Sequence, residues 1–488
     1  MLNRISYYWV RVSLKTFLQI IFVIVISLTL VYTGDHYLSV TPEEFITDHG
    51  LKLELVAEGF KSPIGMGFLG QNDILVLEKE GKVQRVIDKK ILPYPILDIT
   101  SNINSAGERG LLGIAISEGN GSDNDNLYNK DFDIYLLYTE KTTNNEFVNY
   151  YCSTENCKSN DLVVNSLYKY KFRNDKLVNP ELLLRTPVDR NSSLFHIGGV
   201  ITVGPDNNVY VTAGDGNICV SPEDCEKVLR EGGLRSQTAN FENGIRPSGS
   251  GGILSVNVNG KVTNYGNILG YDYPLNLYYA YGIRNSFGID FDPVTGYLWD
   301  TENGPAFGDE INLVKPGFNS GWAKKQGVWS IINSSQLAVD PPLGIERGYH
   351  FSDNPQIANE YEKFVNFNGK GKYSDPEFTW NYPVGVTSIE FFNSDKFGKE
   401  YKNDLFIGTF NDGLIYNFDL NNDRTQLVLN GELQDKVAET NDQLQDAIFG
   451  KNMDSITDLE TGPDGYLYVL SIGEGKVWRI VPAEKGDS

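Results

Sequence analysis

Short stretches of alternating hydrophobic and polar residues, paired across Pro/Asp/Gly/Asn turns, recur along this chain. Residues 201–212 read ITVGPDNNVYVT, residues 288–300 GIDFDPVTGYLWD and residues 459–470 LETGPDGYLYVL. In each, the turn residues supply the backbone angles a hairpin needs, and the period of two marks half-buried strands. Looser copies lie at 65–78 (GMGFLGQNDILVLE) and 389–408, where Phe391-Phe392 and Leu405-Phe406-Ile407 flank a polar loop. Repeated units of this kind, irregularly spaced, predict an all-β β-propeller, with a pair of β-sandwiches as the alternative. Polar segments at 117–165, 216–250, 326–375 and 420–455 predict long inter-strand loops. The last strand, residues 476–481, is expected to close the ring against a strand near 51–56.

The N-terminus follows another pattern. Arg4, Arg11 and Lys15 precede an apolar run over residues 17–32, interrupted only by Gln19, Ser27 and Thr29. No small-x-small site follows it. An uncleaved signal anchor is therefore expected, a cleaved signal peptide being the alternative. Basic residues before the run place the large domain on the extracytoplasmic side of a membrane. The expected division is an anchor helix at 1–33, a linker at 34–49, the propeller at 50–482 and a tail at 483–488.

Cysteine usage agrees with that placement. The four cysteines fall as two close pairs, Cys152 with Cys157 and Cys219 with Cys225. Such spacings suit loop-closing disulfides in an oxidising compartment, and the absence of a neighbouring His argues against zinc. Asn120, Asn191 and Asn333 each begin an Asn-x-Ser triplet, a weak glycosylation signal.

A net charge of −22 makes nucleic acid an improbable partner and favours cations and neutral ligands. No nucleotide-cofactor, zinc-protease or serine-hydrolase fingerprint is present, which removes those common readings.

Two places could carry chemistry. His196, one of only four histidines, opens His196-Ile197-Gly198-Gly199, where the glycines allow a ligand or another backbone to come close. The denser place is 279–322. It holds Tyr281-Gly282-Ile283-Arg284-Asn285, then Glu302-Asn303-Gly304-Pro305, Gly308-Asp309-Glu310-Ile311-Asn312 and Asn319-Ser320-Gly321-Trp322. Arg284 and Asn285 suit the gripping of oxygen atoms. Backbone carbonyls at Gly304-Pro305 and the carboxylates of Asp309 and Glu310 are hard donors of the kind Ca²⁺ takes, solvated loop acids being the alternative.

These segments, with Gly107-Glu108-Arg109-Gly110-Leu111-Leu112-Gly113, Thr379-Trp380 and Gly462-Pro463-Asp464-Gly465, resemble the pyrroloquinoline quinone (PQQ)-dependent glucose/sorbosone dehydrogenase family. The similarity runs in order over about residues 50–482. It implies a six-bladed β-propeller and oxidation of a small-molecule sugar, an aldose or related polyol, by hydride transfer to PQQ with Ca²⁺ assisting. On this resemblance His196 matches the general base and Arg284 the quinone-polarising arginine. Asn285 matches a donor to the same end of the cofactor. The carbonyls of Gly304 and Pro305 match those holding the cofactor's Ca²⁺, with Asp309 nearby, and Glu310 matches a ligand of a second, structural calcium. Trp380 matches an aromatic at the cofactor face, and Glu108 stands at the cofactor where the family often has Gln or Gly.

The chain also departs from the pattern. Where the family pairs the three cofactor carboxylates with a lysine and two arginines, this sequence has Asn411, Ser455 and Thr457. Those departures favour a second reading, a propeller that has lost PQQ and serves as a surface module binding carbohydrate or protein. A third reading is a calcium-dependent lactone or ester hydrolase, which requires carboxylates converging on one ion in the channel.

Overall fold

A computed structural model of the chain describes residues 45–118, 132–141, 163–188, 194–216, 240, 247–305, 307–322, 325–328, 346–347 and 364–483. The N-terminal segment, all four cysteines and the three Asn-x-Ser sites lie outside the described residues. Among the described residues no helix is long and apolar enough to cross a membrane, and the helices are short 3₁₀ turns such as Leu275–Leu277 and Asn441–Ala447.

The strands form an all-β propeller. Among the described residues there are six sheets of four or more strands, and one two-stranded ribbon. The innermost strands are Pro63–Gly70, Leu111–Glu118, Gly198–Val203, Ser286–Phe291, Val386–Phe391 and Ile456–Thr461. Each touches the next, and the last touches the first, so the six make a closed ring. All five hairpins read from the sequence are the first two strands of a sheet.

Sheets buried on both faces need hydrophobic residues on both sides of a strand. The core accordingly lies between neighbouring sheets. Trp299, Ile311, Phe378 and Trp380 of one sheet pack against Val386, Leu405, Ile407 and Tyr416 of the next. Tyr135 and Leu137 likewise meet Val209, Val211 and Leu254 across another gap. The expected loop at 117–165 has its two ends in strands Leu111–Glu118 and Val163–Arg173, and it is interrupted by strand Phe132–Lys141. Its run Ile134-Tyr135-Leu136-Leu137 is buried on both faces, so it carries no polar alternation to read.

Ring closure follows the expectation. Leu51–Glu58 pairs antiparallel with Lys476–Pro482, so the last sheet takes its outer strand from the start of the domain. The fold also reaches back before residue 50. Phe45–Ile46 pairs with Ile448–Lys451, so the expected linker at 34–49 ends in a strand of the neighbouring sheet.

One regularity positions the site. Every innermost strand breaks register at its first residues, between Pro63 and Gly65, Leu111 and Gly113, Gly198 and Ile201, Ser286 and Gly288, Val386 and Ser388, and Ile456 and Asp458. An extra residue in a strand is left unpaired and bends it. The residues released are Ile64, Leu112, Val200, Phe287, Thr387 and Thr457. All six line both the wide cavity at one end of the channel and the narrow chamber below it. They form a collar between the two.

Candidate active site

His196 sits just before the strand Gly198–Val203, in a left-handed conformation with φ of 56°. A non-glycine residue there is uncommon and costs about 1 kcal/mol, which the surroundings must over-determine. They do so through the backbone: Gly216 N–H donates to His196 O at 3.0 Å. Gly198 has φ of 68°, and a Cβ on it would meet Thr212 O at 2.7 Å. Gly198 therefore serves a close approach of two backbones, and Gly199, whose Cβ would stand 2.7 Å from Leu112 Cβ, makes room for that side chain.

The imidazole is held from both sides. Nδ1 lies 2.7 Å from Asp215 Oδ1, and Nε2 lies 2.8 Å from Arg284 Nη2. A guanidinium can only donate, so Nε2 is the acceptor and Nδ1 carries the proton toward Asp215. The second oxygen of Asp215 accepts Trp322 Nε1–H at 2.7 Å. The Asp215 N–H donates to Arg284 O at 2.8 Å, so the carboxylate is fixed through backbone as well. Arg284 Nη1 donates to Asn303 O at 2.7 Å, and the guanidinium lies 5.4 Å from the centre of the Trp322 ring. Burial pushes the Arg284 guanidinium below its ordinary range, against the pull of Asp215, Asp309, Glu302 and Glu108.

Above the collar is a cavity of about 550 Å³, lined by Lys79, Glu108, Gly198, Gly199, Asn303, Gly304, Pro305, Asp309, Asn411 and Thr457, among others. His196 and Arg284 meet each other as expected, but they stand behind this wall. Their neighbours Gly198 and Asn303 form its surface. Asn285 Oδ1 accepts the Gly198 N–H at 3.0 Å, which leaves the Asn285 amide NH₂ as a donor. Glu108 Oε2 accepts Ile197 N–H at 3.3 Å. Burial raises the Glu108 carboxyl above its usual range, with His196 and the backbone bonds opposing.

Gly304 and Pro305 line the cavity, and their carbonyls accept no hydrogen bond from the described residues. Free carbonyls are suitable donors for a hard cation. Gly304 is required as glycine, since a Cβ there would fall 1.9 Å from Phe307 O.

The two expected ion-binding acids are held by hydrogen bonds within the protein, and the expected cofactor-face aromatic needs correction. Asp309 lines the cavity and is held by backbone: Oδ1 accepts Gly304 N–H at 2.8 Å, and Oδ2 accepts Val384 and Gly385 N–H at 2.9 and 2.7 Å. Its role is to hold the Gly304 turn. Glu310 points to the other face of the same strand, where it accepts from the Gly327 N–H, Asn312 Nδ2 at 3.2 Å and Ser320 Oγ at 3.3 Å. Among the described residues no group of three or more His, Cys, Asp or Glu side chains is arranged to hold a metal. Trp380 is fully buried between Phe378, Tyr416 and Phe418 and does not reach the cavity. Its strand pairs on both edges, so the ring turns into the core between sheets.

The narrow chamber below the collar is lined by Asp290, Glu390, Asp458 and Glu460. These carboxylates do converge on the channel, as a hydrolase would require. However, backbone N–H groups of Phe291 and Phe391 occupy both oxygens of Asp290, and those of Met66 and Thr461 bond Asp458 and Glu390.

Sequence reasoning missed Asp215 and Lys79. Asp215 stands in Ala213-Gly214-Asp215-Gly216, straight after a strand of the hairpin that follows His196. An acid between two glycines at that strand end was the available signal. Lys79 follows the second strand of the first sheet, and nothing in Glu78-Lys79-Glu80 distinguishes it from a solvated charge run.

The ring of sheets defines an all-β propeller with a polar site at one mouth of its channel. A glucose/sorbosone dehydrogenase family model matches residues 60–329 and 349–479, and the chain belongs to that family. An aldose sugar dehydrogenase of Escherichia coli is 33% identical over 205 residues, 42% of this chain and 43% of that protein. A quinoprotein glucose dehydrogenase of Acinetobacter calcoaceticus is 25% identical over 301 residues, 59% of this chain and 56% of that protein. The matches thus span about half the length of these two relatives. A structure titled as the PQQ-bound form of an aldose sugar dehydrogenase from Streptomyces coelicolor shares the fold, with a TM-score of 0.56 and 17% identity over 88% of this chain and 98% of its own.

Proposed function

We propose that this chain is an oxidoreductase that oxidises an aldose or related polyol at its anomeric hydroxyl, using PQQ and Ca²⁺ in the 550 Å³ cavity. The observation that carries the reading is the His196 imidazole fixed between Asp215 and Arg284. When bound, the quinone supplies the two-electron acceptor and the ion supplies Lewis acidity. The carbonyls of Gly304 and Pro305 would hold the ion, while Arg284 and Asn285 stand behind the cavity wall and fix two of its residues, through Asn303 O and Gly198 N–H. Family membership and the sugar dehydrogenase relatives support the substrate class.

His196 does the proton chemistry. Its Nε2 lone pair receives the hydroxyl proton, while Asp215 keeps Nδ1–H in place and stabilises the imidazolium that forms. Arg284 Nη2, which donates to that lone pair here, holds the position until a substrate hydroxyl donates instead. The buried, polar setting strengthens both interactions. Placement of the domain outside the cytoplasm, on an N-terminal anchor, is part of the same proposal and is supported by the basic residues preceding the apolar run at 17–32.

The test is reconstitution. PQQ and Ca²⁺ are added to the purified domain, and dye reduction is followed with a panel of aldoses. His196→Ala should abolish turnover and leave quinone binding nearly intact. Absence of any bound-quinone spectrum would favour the surface binding module instead.

A further inference from the structure

We infer that Lys79 is the anion anchor of the cavity, gripping a carboxylate of a planar anionic occupant; the inference rests on the quinone reading above. Of the charged side chains lining the cavity among the described residues, Asp309 is fully engaged by backbone N–H groups and Glu108 is an acid, which leaves Lys79 as the cation. Its Nζ donates to Ser105 O at 2.8 Å and makes no ion pair with a described residue, so two ammonium hydrogens remain for a ligand.

The backbone pre-positions this charge. Lys79 N–H donates to Ser62 O at 3.0 Å, and Lys79 O accepts Leu111 N–H from the next sheet at 2.9 Å. Gly110 allows that approach, since a Cβ there would stand 2.6 Å from Lys79 O. The sector is also the relevant one. Thr457 and Asn411 line the same cavity, at positions where the family resemblance implies cations, and Thr457 Oγ1 donates to Pro63 O at 3.1 Å, on the sheet that bears Lys79. The positive charge lies on the sheet next to that of Thr457, on a residue whose backbone is fastened on both sides.

The experiment is titration of the Ca²⁺-loaded protein with PQQ, followed by quenching of tryptophan fluorescence, for the natural chain, Lys79→Met and Lys79→Arg. Folding of each variant is checked by its melting temperature. Lys79→Met should weaken binding about 10- to 100-fold, the loss expected of one charge-assisted hydrogen bond. Lys79→Arg should stay within about threefold and keep the salt dependence that Lys79→Met loses. Equal affinity in Lys79→Met, or an equal loss in Lys79→Arg, overturns the anchor and leaves the quinone reading standing. No binding by the natural chain overturns both.

Discussion

Asp215 and His196 meet at 2.7 Å, carboxylate oxygen to imidazole Nδ1, and Trp322 fixes the other oxygen of Asp215 at the same distance. The base is thus oriented by an acid that cannot rotate. Asp215→Asn can present an NH₂ to Nδ1 and so favours the wrong tautomer, with the proton on Nε2. Turnover should fall by roughly 10²- to 10⁴-fold. Quinone affinity should change little, and steady-state rates beside fluorescence titration separate the two effects.

Arg284 balances buried acids, and its loss should be felt in stability. Its backbone N–H donates to Glu302 Oε1 at 2.7 Å, and its buried guanidinium interacts electrostatically with Asp215, Asp309 and Glu302. Removing one partner of a buried charge set costs about 3–5 kcal/mol. Arg284→Met should lower the denaturation midpoint by that order, and a midpoint unchanged in urea would contradict the assignment.

Trp380 tests a correction. A ring buried among Phe378, Tyr416 and Phe418 contributes through packing, so Trp380→Ala should cost about 3–5 kcal/mol. Trp380→Phe keeps most of the volume, and its PQQ titration should overlay that of the natural chain. A ring that stacked on the cofactor would instead weaken binding in both variants.

The lower chamber makes stability depend on pH. Burial pushes the carboxyls of Asp290 and Asp458 up to about 7. Folded-state values raised above the ordinary ones mean a contribution fully present below about pH 4 and lost as pH rises through about 7. Asp458→Asn keeps an oxygen for the Met66 N–H and carries no charge to bury. It should flatten the fall between pH 4 and 7 and gain on the order of 2 kcal/mol at pH 8, read from thermal melts across pH.

Much of the fold was legible because each hairpin carries its own turn residues and its own alternation, as in residues 201–212 and 459–470. Ring closure was legible from the spare strand at each end. The strand Phe132–Lys141 was not, since burial on both faces erases alternation. In the site, His196, Arg284 and the Gly304-Pro305 pair are marked by rare residue types or by glycine and proline. Asp215 and Lys79 are common charged residues whose meaning comes from what the ring brings beside them. Trp380 shows the converse, a large aromatic in a motif that the sheet turns into the core.

Pairing of Leu51–Glu58 with Lys476–Pro482 means that a strand from the start of the ring and its last strand are neighbours in space. A chain emerging from the ribosome cannot complete this circle until residue 482 is free. Five sheets must wait, half-covered, for a latch made last, and during that interval the edges of the unfinished ring are the surface a chaperone or an aggregate would find.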